Sequence, residues 1–266
     1  MFLEECQILE NKFVGDRYYL MKIQAGKSAG VSKAGQFFML KCKNDIRVLR
    51  RPISLHFADS ENSTLEFYYE VKGGGTNEFS SLKPGDSINV QGPLGNGFNT
   101  EVEDKEIMVI GGGMGIAPTK YLIEKLSKNN RVTFIAGGRD AGAVKILENL
   151  NLDGVKVCVV TDDGSVGEKG NVVSIMQKVL IDNKIDLVQT CGPHKMMEAV
   201  AKVALENDIE CEVSLEERMA CGIKACVGCS IKTLDGMKKV CYDGPVFNAK
   251  IIVDVNPKEN VGCSCN

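Results

Sequence analysis

The 266-residue sequence has no tryptophan, only two histidines and only seven prolines. With so few histidines, no Ser/His/Asp set and no His-rich zinc motif emerges, and no paired-carboxylate motif is found. His56, within an alternating strand, and His194, at a helix start, read as structural. Long hydrophobic runs are missing too. Nothing approaches the roughly 18 consecutive apolar residues of a membrane span, so none is expected. Charge of one sign is also scarce: Lys plus Arg total 32 against 35 for Asp plus Glu, a net of −3. That balance lacks the basic footprint of a nucleic-acid binder. The start, Met1 to Cys6, carries Glu4 and Glu5 where an export signal has a basic start and an apolar stretch. A cytoplasmic protein is expected.

What the sequence does have is cysteine, 11 in all. In a reducing compartment, that many thiols point to metal ligands or redox groups rather than disulfides.

Residues 1–101 read as an antiparallel β-barrel or sandwich. Apolar or alternating runs at about Arg17–Ile23, Phe37–Lys41, Ile53–Ala58, Thr64–Val71 and Ser87–Gln91 are separated by turn chemistry. Residues 102–210 alternate strands with helices, which argues a parallel-sheet α/β domain. Strands are expected at Glu106–Ile110, Val132–Ala136, Val155–Val160 and Asp186–Thr190. A helix over Lys195–Glu206 places Met196, Met197, Val200 and Val203 on one face, a stripe that reads as core. Residues 211–252 contain five cysteines with little periodicity, too short and polar for a large core, so an inorganic staple is expected. Residues 253–266 read as a polar tail, with Cys263 and Cys265 as exposed thiols.

Cys221, Cys226, Cys229 and Cys241 are spaced C-x4-C-x2-C-x11-C. Short spacings followed by a distant fourth cysteine match the thiolate set of a plant-type [2Fe–2S] centre. Zinc, the alternative, prefers two C-x2-C pairs, and only Cys226 and Cys229 form one. Gly222 and Gly228 suit a loop wrapping a cluster. Cys6, Cys42, Cys158 and Cys211 read as core or surface thiols.

Gly111-Gly112-Gly113-Met114-Gly115-Ile116-Ala117-Pro118 lies where a strand gives way to a helix. Glycines there bring a diphosphate to the helix N-terminus, although the match to G-x-G-x-x-G is imperfect. Asp162-Asp163 and Cys191-Gly192-Pro193 follow later strands, where ligands of such sheets bind. Arg50-Arg51-Pro52-Ile53-Ser54 offers a cation for a diphosphate and a hydroxyl for a polar ring. Gly73-Gly74-Gly75-Thr76 is a second candidate diphosphate loop. Taken singly, each of these is equally a simple turn or a solvated basic patch. Gly137-Gly138-Arg139-Asp140 holds both a cation suited to a 2′-phosphate and an acid suited to a free ribose, leaving NAD against NADP open.

Together, R-P-x-S, the G-T loop, G-G-G-x-G, C-G-P and the four-cysteine segment resemble the ferredoxin reductase superfamily. The order flavin, nicotinamide, iron–sulfur resembles the electron transfer subunits of NAD-dependent (class 1B) dihydroorotate dehydrogenase. Ser214 to Gly222 and Val240 to Phe247 carry that resemblance most closely. It implies FAD on Arg51, Pro52, Ile53, Ser54, Tyr68, Tyr69, Glu70, Gly75 and Thr76. It implies NAD on Gly112, Gly113, Gly115, Asp163, Cys191, Gly192 and Pro193, with Ser54 and Cys191 near the reacting rings. Cys221, Cys226, Cys229 and Cys241 would hold the cluster. The implied partner is a catalytic dihydroorotate dehydrogenase subunit with FMN, in a heterotetramer serving pyrimidine biosynthesis. A sister family, the small subunit of NADH-dependent ferredoxin:NADP oxidoreductase (also met as a sulfide dehydrogenase subunit), shares the layout. It usually has Asp where this chain has Cys221, while Gly115-Ile116-Ala117-Pro118 reads nearer to it. A non-enzymatic zinc module is the remote alternative.

Overall fold

The computed structural model describes residues 1–43 and 47–252. Its first half is built from β1 (Phe2–Gly15), β2 (Tyr18–Gln24), β3 (Phe37–Leu40), β4 (Arg51–Ser54), β5 (Phe57–Asp59), β6 (Thr64–Glu70) and β7 (Ser87–Leu94). Short helices α1 (Gly26–Val31) and α2 (Gly74–Ser80) interrupt them. The sheet order is β4-β3-β7-β1-β2-β6-β5, antiparallel throughout. β4 and β5 are consecutive in sequence yet stand at opposite edges of the sheet. Only Leu55 and His56 join them: Leu55 N–H donates to Gln36 O and His56 N–H to Glu66 O, both 2.9 Å. So short a connection forces the edges together, and the sheet curls into a half-barrel. The single strand expected over Ile53–Ala58 is therefore two, broken where the chain crosses from one edge to the other.

The second half contains β8 (Glu106–Gly112), α3 (Thr119–Leu126), β9 (Arg131–Gly138), β10 (Lys156–Thr161), β11 (Glu168–Lys169), α4 (Val172–Asp182), β12 (Leu187–Cys191), α5 (His194–Glu206) and β13 (Glu210–Ser214). After the hairpin β14 (Ser230–Thr233) and β15 (Gly236–Lys239), the chain returns as β16 (Val246–Asn248). The sheet runs β11-β10-β9-β8-β12-β13-β16, parallel except for the antiparallel edge β16. The cysteine-rich segment thus leaves the sheet at β13 and rejoins it at β16. No helix among the described residues is long and apolar enough to cross a membrane.

Strand alternation divides the interior in two. Ile107, Val109, Phe134 and Ala136 join the half-barrel residues and α3 in one core. Met108, Ile110 and Ile135 face the other way, into a core shared with α4, α5, Cys229, Cys241 and Phe247. Burying both faces explains why these strands read as continuous apolar runs. The reversal of strand order between β8 and β12 places a crevice at their C-terminal ends, where ligands of such sheets bind.

Candidate cofactor sites

On the half-barrel side, β4 presents Pro52 and Ser54 to a cleft of about 130 Å³ that also touches Gly35 and Phe37. Its opposite wall is Ser214, Leu215, Glu216, Glu217 and Met219, the chain leaving β13. Ile53 alternates away and packs on the half-barrel core. Arg50 is committed to structure, its guanidinium donating to Met39 O and Asn89 O, each at 3.2 Å. Arg51, which donates to Leu49 O, lies against Gly75, and Arg47, 3.6 Å from the Glu78 carboxylate, lies against Gly74, so closely that a Cβ on either glycine would occupy the guanidinium's place. Two cations over a glycine pair at a helix start form a cradle that fits a diphosphate. Thr76 caps that helix: its Oγ1 accepts from Lys72 N at 3.0 Å and Gly73 N at 3.3 Å.

The side chains of β6 are otherwise engaged. Tyr69 is buried, stacks on Tyr19 with centroids 5.8 Å apart, and donates its hydroxyl to Asn11 Oδ1 at 3.0 Å. Glu70 pairs with Arg17 and Lys72, both at 2.9 Å. Tyr68 is buried too, stacked on Tyr18 and 5.9 Å from His56. Burial pushes both phenols well above their ordinary range.

At the ends of the parallel strands lies a cleft of about 380 Å³. Gly112, Gly113, Gly137, Gly138, Arg139, Asp162, Asn171, Pro193 and Met196 are among its walls. Other residues named from the sequence are near but do not line it. Gly115 packs on the backbone carbonyl of Cys191 so tightly that a side chain has no room, which locks the turn after β8 to the end of β12. Cys191 is buried; burial, with the Glu216 carboxylate, pushes its thiol up to about 12, while Ser214 hydrogen-bonds it. Gly192 packs against Met196. Asp163 points outward, accepting from Ser165 N at 2.9 Å and Ser165 Oγ at 2.7 Å, and its neighbour Asp162 faces the cleft. Met196, expected as plain core, is a wall residue. The strand-end rule points to Gly137, Gly138 and Asp162, which line the cleft, whereas nothing in periodicity separates Met196 from its buried neighbour Met197.

The cysteine loop follows directly on the first cleft's wall. Cys221 and Cys226 hold their sulfurs 3.3 Å apart, and Cys226 N–H donates to Cys221 Sγ at 3.3 Å. The N–H of Gly228, then that of Cys221, lowers the Cys226 thiol to about 7, favouring the thiolate. Cys229 and Cys241 form a second pair, both 2% exposed, their thiols hydrogen-bonded to each other. Burial pushes Cys241 up to about 11, opposed by the N–H of Lys224 donating to its sulfur. Gly222, at φ +68°, packs on Met39 and Leu94 of the half-barrel. Among the described residues, no three His, Cys, Asp or Glu side chains converge on a single ion. Two thiol pairs with N–H groups aimed at sulfur fit a centre of two irons and not one tetrahedral zinc. Cys6, Cys42 and Cys211 are buried and Cys158 is half-buried. Cys263 and Cys265 lie outside the described residues.

A family model described as the iron–sulfur cluster binding domain of dihydroorotate dehydrogenase B matches residues 216–253. An oxidoreductase FAD-binding domain model matches residues 7–98. The chain is 35% identical to the electron transfer subunit of dihydroorotate dehydrogenase B (NAD(+)) from Caldanaerobacter subterraneus, over 94% of this chain and 98% of that one. It is 37% identical to the same subunit of Clostridium acetobutylicum, over 91% of this chain and 93% of that one. A solved structure of NADH-dependent reduced ferredoxin-NADP oxidoreductase superposes with a TM-score of 0.83 at 27% identity, covering 91% and 87% of the two chains. The higher identities carry the dihydroorotate name, so the ferredoxin:NADP alternative is not favoured. The chain belongs to the family of dihydroorotate dehydrogenase B electron transfer subunits, flavin and iron–sulfur oxidoreductase components with a ferredoxin reductase-like fold.

Proposed function

We propose that this chain carries electrons from a catalytic dihydroorotate dehydrogenase subunit to NAD+, as a step of pyrimidine biosynthesis. The partner would oxidise dihydroorotate on its own FMN, in an assembly of two catalytic and two electron transfer chains. Residues 1–101 would hold FAD, 102–210 NAD and 211–252 the [2Fe–2S] centre. Bound FAD supplies the ability to take electrons singly and release them as hydride, and the iron–sulfur centre exchanges them one at a time.

One observation carries this reading. The segment Ser214–Met219 walls the cleft opposite Pro52 and Ser54, and runs within two residues into Cys221. Flavin site and cluster site therefore share a stretch of backbone. Ser214 also pairs in register with Cys191 at the end of β12, beside the nucleotide crevice. Arg47 and Arg51 neutralise the FAD diphosphate over Gly74 and Gly75. Pro52 and Ser54 hold the flavin ring, Ser54 by its hydroxyl. Gly112, Gly113 and Pro193 admit the NAD diphosphate. Cys191 stays a neutral thiol and shapes the floor between the two ligands. Cys221, Cys226, Cys229 and Cys241 hold the irons, and Met219 and Leu215 keep water from the path between.

Anaerobic purification, iron and flavin analysis and EPR of the reduced chain test the assignment. One flavin and a [2Fe–2S] signal are expected, and a chain that binds neither iron nor flavin overturns it. Cys226→Ser is expected to abolish partner-linked NAD+ reduction while sparing NADH oxidation by artificial acceptors. Survival of both activities overturns the relay.

A further inference from the structure

Lys224 sits inside the cysteine loop with φ +66°, in the left-handed region that glycine occupies freely and a side chain strains. The chain keeps a lysine there and fastens it at three points. Its N–H donates to the Cys241 sulfur. Its carbonyl accepts from the Lys239 ammonium at 2.8 Å. Its own ammonium stands 3.9 Å from the centre of the Tyr242 ring, a cation–π seat on the residue next to Cys241. The nearby acid, Asp243, is turned to the Lys239 backbone N–H at 2.7 Å. Two ammonium groups are thus held around the Cys241–Tyr242 corner.

We propose that Lys224 is a fixed positive charge that raises the reduction potential of the iron–sulfur centre, making it a better electron acceptor. This rests on the four cysteines being its ligands. One-electron reduction adds one negative charge to the centre, so a cation held beside it, and an N–H on its sulfur, favour the reduced form. Lys224 is exposed, so its influence is screened by salt. The Tyr242 seat keeps the ammonium from drifting into solvent, and the strained backbone lets the N–H reach Cys241 while the ammonium rests on the adjoining Tyr242.

EPR-monitored redox titration of the full, cofactor-loaded chain at low ionic strength tests this. Lys224→Gly keeps the left-handed backbone and the N–H while removing the charge. Its reduction equilibrium should fall about tenfold, about 59 mV for one electron, and the difference should shrink in high salt. Lys224→Arg should hold the native midpoint. A Lys224→Gly midpoint equal to the native one, or an Arg variant falling as far as the Gly variant, overturns the proposal. Should Lys224→Gly not assemble the centre, Tyr242→Leu decides: a smaller fall of the same sign is expected, and no shift overturns it. Absence of a [2Fe–2S] signal in the native chain would instead overturn the ligand assignment itself.

Discussion

His56 Nδ1 lies 2.5 Å from the carbonyl oxygen of Ala117, tying the corner between β4 and β5 to the glycine-rich turn after β8. A carbonyl only accepts, so Nδ1 carries the proton. His56 Nε2 then has no hydrogen-bond partner among the described residues. Burial first, and the Lys120 charge second, lower this histidine to about 4.

The neutral ring makes stability depend on pH. Between about pH 6.5 and 4 the unfolded chain binds the proton and the folded one does not, so stability falls with acidification through that window. The loss from pH 7.5 to 5 should be about 2 kcal/mol. Urea unfolding of the native chain and of His56→Gln at both pH values measures it. The variant should lose about that much less stability on acidification, and equal slopes would falsify the assignment of the effect to His56.

Two glycines should respond in opposite ways to a single methyl group. At Gly115 the added carbon meets the backbone of Cys191, which cannot move without shifting β12. Gly115→Ala should destabilise the chain by about 2–3 kcal/mol, as overpacking does. At Gly75 the obstacle is the flexible guanidinium of Arg51. Gly75→Ala should leave thermal stability nearly unchanged but weaken FAD retention about tenfold, about 1.4 kcal/mol. Thermal melts and flavin release on dilution separate the two.

Ser54 faces the cleft shared with Ser214 and Glu217. Ser54→Ala removes the hydroxyl without changing the strand, and should slow NADH oxidation roughly ten- to a hundredfold, as loss of an aligned donor does. FAD content and the EPR signal should stay native. Stopped-flow flavin reduction by NADH is the measurement, and an unchanged rate removes Ser54 from the reaction.

Arg139 lines the cleft at the ends of the parallel strands but is paired with Asp140, Nε to Oδ2 at 3.0 Å. That partner competes with any 2′-phosphate for the guanidinium. Asp140→Ala should therefore raise kcat/KM for NADPH relative to NADH about tenfold, and more at low than at high salt. Steady-state rates with both nucleotides check this.

The layout was legible because its signals are local: strand alternation up to Gln91, apolar strands running into glycines after Ile110 and Ala136, and cysteine spacing. β1 escaped notice because Phe2–Gly15 buries only Cys6 and Ile8 fully and is studded with charges. Gly73–Gly75 read as a turn and proved to be the cap and first residues of α2. Its glycines leave room for Arg47 and Arg51, a relation between segments about 25 residues apart. Periodicity marked the apolar face of α5 without telling that Met196 meets glycines at a cleft while Met197 meets the interior. Such distinctions depend on what stands opposite, which one strand of text does not contain.

The separation of the interior by the parallel sheet bears on damage. Cys229 and Cys241 belong to the core with α4 and α5, which Phe37, Met39 and Leu94 of the half-barrel also join, while the rest of the half-barrel interior lies in the other. Oxidative loss of the irons should therefore be felt first in the core with α4 and α5, and through Phe37 and Leu215 at the cleft beside Ser54. Because the loop is anchored at both ends, by β13 and β16, a chain stripped of iron is still threaded for repair.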